Sequence, residues 1–104
     1  MSVDPDRRLQ PGDRIGILGG GQLGRMLALA AARLGLDTAI FTPDEDSPAA
    51  RVAAHASVAP YEDLGAVRRF ASACAAITYE FENVPVETAR AAGEVSVLRP
   101  GAQA

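Results

Sequence analysis

At 104 residues the chain has the length of a single domain, large enough to bury one core. Hydrophobic residues make up 48%, aromatics only 5%, and the net charge is −3 with all ten basic residues arginine, so nothing in the balance offers nucleic acid a basic face. No apolar run approaches the roughly 20 residues of a membrane span, and the single Cys74 has no partner for an internal disulfide.

The first segment, "MSVDPDRRLQPGD", carries acids and lacks an apolar stretch, so residues 1–13 read as a flexible leader and not a signal peptide. Arg14–Leu18 is a short apolar, β-branched run ended by glycines, as expected of a buried parallel strand. From Gln22 to Leu34 apolar residues recur at 23, 26, 27, 30, 31 and 34, a helical period that Gly35 stops. Thr38–Phe41 predicts a second strand, closed by Thr42-Pro43. In "DEDSPAARVAA", Ser47 is the expected N-cap and Pro48 the first position of a short helix. Ala56–Ala59 reads as a weak third strand.

Asp63–Ala73 predicts a longer helix with Leu64, Val67, Phe70 and Ala71 on one face. Ala75–Tyr79 follows as a fourth strand, Pro85–Ala92 as a helix ending at Gly93, and Val95–Leu98 as a fifth strand. Strands alternating with helices imply right-handed βαβ units and a mostly parallel sheet. The expected fold is a Rossmann-like α/β domain over residues 14–104, of about five strands flanked by helices. The fifth strand has no helix after it to cover the sheet, which suggests the beginning of a longer protein.

Two stretches carry chemistry. In "GILGGGQLGRM", Gly19, Gly21 and Gly24 fit G-x-G-x-x-G between a strand and a helix. Such a loop can cradle a dinucleotide pyrophosphate at the helix N-terminus, seat another phosphate-bearing ligand, or serve helix–strand packing alone. A dinucleotide site also wants an acid closing the second strand, but that strand ends Ile40-Phe41-Thr42-Pro43 and Asp44 comes only after the proline. NAD is therefore not expected.

The second stretch is "ITYEFENVP". Glu80 and Glu82 follow the fourth strand at i and i+2, where α/β sheets bind ligands at strand carboxyl ends. Continued alternation puts both on one face, ready to accept from hydroxyls or an amine; the alternatives are solvated loop acids or a cap for the next helix. His55 stands alone and reads as structural, and Cys74 as a small buried hydrophobe. No nucleophile–base pair, zinc spacing or phosphate-loop lysine is present, so no residue here is expected to catalyse a reaction by itself.

Taken together, "GILGGGQLGRMLALAAARLG", "DEDSPAARVAA" and "YEFENVP" resemble the N-terminal pre-ATP-grasp domain of 5-(carboxyamino)imidazole ribonucleotide synthases, ATP-grasp ligases of purine biosynthesis. The resemblance runs from about Arg14 to the end of the chain. It implies carboxylation of 5-aminoimidazole ribonucleotide by bicarbonate activated with ATP and Mg²⁺, in the cytoplasm, with no nucleic acid or membrane partner. A homodimer of the full-length enzyme is compatible with it.

The ATP, Mg²⁺ and bicarbonate sites would lie in central and C-terminal domains absent from this chain, which leaves no catalytic or metal residue to assign here. The resemblance places Gly21, Gln22 and Leu23 against the ribonucleotide and matches Glu80 to the first acid of an E-x-E motif, with Glu82 as the second. The competing expectations are a related ATP-grasp formyltransferase, which carries an acid where Gln22 stands, and a stand-alone nucleotide-binding module.

Overall fold

The computed structural model describes residues 9–80 and 84–98. Five strands form one sheet: β1 (Arg14–Leu18), β2 (Asp37–Thr42), β3 (His55–Val58), β4 (Ala76–Tyr79) and β5 (Val97–Leu98). Their spatial order is β3-β2-β1-β4-β5, and every neighbouring pair is parallel. Helices supply three of the four crossovers, α1 (Gln22–Arg33), α2 (Leu64–Ser72) and α3 (Val86–Gly93), while β2 reaches β3 through turns.

Strand alternation divides the core between the two faces. Leu18, Ala39, Phe41, Ile77 and Tyr79 join Val67, Phe70 and Ala71 of α2 and Ala89, Ala91 and Ala92 of α3 in the larger cluster. Ile17 and Ile40, one residue out of phase, join Ala28 of α1 and Ala49 on the other side. The small side chains set the spacing. A Cβ on Gly16 of β1 would lie 2.6 Å from Ile77 Cδ1 and 2.8 Å from Phe70 Cε2, so α2 rests on a strand with no side chain at that point.

Local signals account for most helix ends. Asp63 caps α2, its side chain accepting from Ala66 N–H at 3.1 Å. Leu34 closes α1 and Gly35 follows it. The short helix expected after Pro48 does not form; residues 48–52 make a series of turns instead. Ser47 caps these turns, accepting from Ala50 N–H at 3.2 Å, and Ala49 N–H, which the first turn of a helix would leave unpaired, donates to the carbonyl of Gly20 at 3.0 Å. Ala49 is buried beside Ala28 of α1, which fixes these turns against the sheet.

The leader expected over residues 1–13 lies largely outside the described residues. Within them, Gly12 N–H donates to Gly35 O and Asp37 N–H to Asp13 O, both at 2.9 Å, so this turn is tied to the start of β2.

Cys74 is buried and donates its thiol to Phe70 O at 3.4 Å. Burial pushes its pKa up to about 11, from a reference of 9.0. At mildly alkaline pH the thiolate fraction falls about a hundredfold below that of an exposed cysteine. Labelling by a disulfide reagent is expected to be slower by at least that factor in the folded chain than in urea. Equal rates would show that the site is open.

Candidate functional site

In an open parallel sheet the ligand crevice lies at the carboxyl ends of the strands, where successive crossovers leave in opposite directions. Here that point falls between β1 and β4, because β1 runs on to β2 on one side while β4 leads to β5 on the other. The two stretches singled out in the sequence meet there. The register pairs Leu18 with Tyr79, so the next residues, Gly19 and Glu80, come side by side, and Glu80 N–H donates to Leu18 O at 3.1 Å.

Glu80 shares strand parity with Ala76 and Thr78, opposite to Ile77 and Tyr79, which pack under α2 and α3. Its side chain therefore turns towards α1. It is 5% exposed, and its Oε1 accepts from Gly24 N–H at 3.0 Å.

The glycine loop is held from both sides. Gly19 N–H donates to Phe41 O at 2.9 Å, and Gly20 O receives Ala49 N–H. A Cβ on Gly20 would lie 2.7 Å from Ser47 and Thr42 side-chain atoms, so β2 and the turn beyond it press directly on the loop. Thr42, at the end of β2, accepts from Asp44 N–H at 3.2 Å. Gln22 and Leu23 form the first turn of α1 and are exposed, Leu23 by 54%; Met26 on the next turn is 65% exposed. Gly21 is the N-cap and has no side chain with which to cap.

Tyr61, in the connection from β3 to α2, is a member of this edge that sequence reasoning missed. It stacks on Phe41 with ring centroids 6.2 Å apart, and its carbonyl accepts from Thr88 Oγ1 at 2.7 Å. Burial raises the phenol pKa, the negative charge of Glu80 raises it further, and a hydrogen bond with Thr42 opposes both. Its one available signal was position: it comes after a strand, as do Gly19 and Glu80.

The structure thus brings Gly21, Gln22, Leu23 and Glu80 to one edge. Glu82 lies outside the described residues. His55 stands at the opposite edge, at the start of β3, with its Nε2 3.1 Å from Asp37 Oδ2 and 3.0 Å from Arg14 Nη2. Arg14 Nε donates to Asp37 Oδ2 at 2.7 Å. That bond foremost holds the Asp37 carboxyl below its ordinary range. A cavity of about 490 Å³ beside α2 is lined by Arg14, Phe41, His55, Ser57, Arg69 and Cys74 among others, and by none of the predicted site residues.

Residues 13–104 match the family described as the ribonucleotide synthetase preATP-grasp domain. The chain belongs to this family. Over 92 residues, 88% of the chain, it is 53% identical to the N5-carboxyaminoimidazole ribonucleotide synthase of Brucella melitensis. A crystal structure of an N5-carboxyaminoimidazole ribonucleotide synthetase in complex with ADP superposes with a TM-score of 0.87 at 43% identity, covering 94% of this chain and 26% of that one. The Aspergillus clavatus synthase in complex with ADP and 5-aminoimidazole ribonucleotide gives 0.77 at 32% identity, covering 89% and 25%.

This preATP-grasp domain spans about a quarter of the length of such relatives. The chain has no lysine, and among the described residues no group of three or more His, Cys, Asp or Glu could hold an ion. No helix among them is long and apolar enough to cross a membrane.

Proposed function

We propose that this preATP-grasp domain is the ribonucleotide-binding part of a ligase that carboxylates 5-aminoimidazole ribonucleotide with bicarbonate. The products would be 5-(carboxyamino)imidazole ribonucleotide, ADP and phosphate, made in cytoplasmic purine synthesis. One observation carries the reading: the glycine loop and Glu80 converge at the switch point of a chain 53% identical to a synthase of that name. ATP, Mg²⁺ and bicarbonate are assigned to the part of the enzyme that this chain does not span. Pairing of the whole enzyme into a homodimer belongs to the same reading.

The domain's own residues bind and orient. Ribose hydroxyls and the exocyclic amine are hydrogen-bond donors, and a carboxylate offers about four acceptor sites, one of which Glu80 gives to Gly24 N–H. Gly21 lets the ligand approach the backbone, while Gln22 and Leu23 present an amide and an apolar side chain from the first exposed turn of α1. Glu82 is proposed as a second acceptor on the same segment. Holding the amine against the reaction centre is how such a domain contributes to rate, through orientation.

The test is kinetic and uses the native polypeptide that carries this sequence, which the reading expects to be several times longer. Glu80→Gln keeps the shape of the side chain and its acceptor for Gly24 but loses the charge. It should raise KM for 5-aminoimidazole ribonucleotide by about tenfold or more, the cost of a charge-assisted hydrogen bond, with KM for ATP unmoved. An unchanged ribonucleotide KM removes Glu80 from the site. A native protein that does not turn over this substrate removes the reaction itself.

A further inference from the structure

The G-x-G-x-x-G loop raises the question of what its three glycines make room for, and the distances answer it. A Cβ on Gly19 would lie 2.7 Å from Glu80 Cδ. One on Gly21 would meet both Glu80 carboxylate oxygens at 3.5 Å, an ordinary contact, and one on Gly24 would lie 2.9 Å from the Gly19 carbonyl oxygen and 3.1 Å from Glu80 Oε1. Each glycine of the fingerprint therefore borders the same carboxylate. We infer that Glu80 is the resident anion of this loop: it fills the seat at the N-terminus of α1 that dinucleotide-binding domains give to a pyrophosphate, and so makes the loop select against phosphate.

Three further observations point the same way. The first amides of a helix lack intrahelical partners, and the glycine N-cap of α1 has no side chain to supply one. Nor does the first turn of α1 contain an acid to meet the helix dipole. Glu80 provides both services from just beyond β4, with its Oε1 on Gly24 N–H. The Gly19 N–H is also committed, to Phe41 O, and does not point at a ligand. Finally, Glu80 is 5% exposed, so its charge is poorly screened.

A phosphate approaching this loop would meet a buried negative charge where it needs free N–H groups. A ligand that offers hydroxyl or amine donors meets an acceptor. If the ribonucleotide assignment is right, its phosphate points away from the glycine loop and its donor-bearing end points towards it. The inference about the loop does not depend on that assignment.

Pyrophosphate titration of the ¹⁵N-labelled 104-residue chain tests it, read at the Gly19, Gly21 and Gly24 amides. The wild type should show no saturable movement at millimolar pyrophosphate. Glu80→Ala, which empties the seat and removes the charge, should show saturable movement at those amides in the same range, and a folded Glu80→Ala that shows none overturns the proposal. Dispersion of the same spectrum reports whether the variant folds. If it does not, Glu80→Gln decides: binding tighter than wild type sustains the proposal, and equal binding overturns it. Saturable movement of the loop amides in the wild type overturns it outright, and leaves the kinetic assignment of the substrate to stand or fall separately.

Discussion

Gly19→Ala should cost about 3–5 kcal/mol, a large part of the roughly 5–15 kcal/mol expected of a domain this size. Two effects combine. Gly19 has φ +129°, a backbone state that side chains rarely adopt and that costs about 1–3 kcal/mol when forced on one. The new Cβ would also stand 2.7 Å from Cδ and 2.8 Å from Cγ of Glu80, an overlap of the kind that costs about 1–3 kcal/mol when the neighbours must shift.

Gly12 separates the two terms. Its φ is +93°, yet nothing lies within 4 Å of its Cβ position. Gly12→Ala should therefore show backbone strain alone, about 1–2 kcal/mol. Urea denaturation measures both, and a Gly19→Ala loss no larger than that of Gly12→Ala would mean that Glu80 yields without cost. In a Glu80→Ala background the overlap vanishes, so Gly19→Ala should then cost measurably less, which is the coupling a double-mutant cycle reads.

That pair also marks the limit of what the sequence could reveal. The alternation of strand and helix was legible because apolar periodicity switches between two and 3.6 residues along the chain, and the parallel α/β sheet followed from it. Gly35 as a stop was legible because it acts on its own helix, whereas Asp63, read as the first residue of a helix, proves to be its cap. The glycine fingerprint was legible as well, but what fills it was not. Glu80 lies 56 residues from Gly24, and only the register of β1 against β4 brings them together.

Strand register is a property of the assembled sheet, so no local pattern announces it. Tyr61 was passed over because a lone tyrosine in a loop carries no motif. Its place beside Glu80 and Thr42 exists only once three strand ends are aligned.

Phe41→Ala is the other substitution with a large expected effect, and it connects the core to the candidate site. Phe41 is 1% exposed; its ring meets Phe70 edge-on at 5.5 Å and stacks with Tyr61 at 6.2 Å. Truncating a buried phenylalanine costs about 3–5 kcal/mol, because the transfer energy and the cavity add. For a domain of about 100 residues that lowers Tm by more than about 12 °C. Phe41→Leu keeps most of the volume and should lose only about 1–2 kcal/mol, with the lost aromatic contacts contributing about 0.5–1.5 kcal/mol of it.

The comparison also has a functional reading. Phe41 O holds Gly19 N–H, while the Phe41 ring supports Tyr61 across the crevice from the loop. Phe41→Leu preserves the first contact, a backbone bond, and removes the second. If Tyr61 owes its position to the stack, its phenol should titrate closer to an ordinary tyrosine in Phe41→Leu, because it sinks less deeply and sits less squarely in the field of Glu80. An unchanged phenol titration, followed by ultraviolet difference absorbance, would mean that Thr42 and the Thr88 bond to Tyr61 O hold the ring without help from the core.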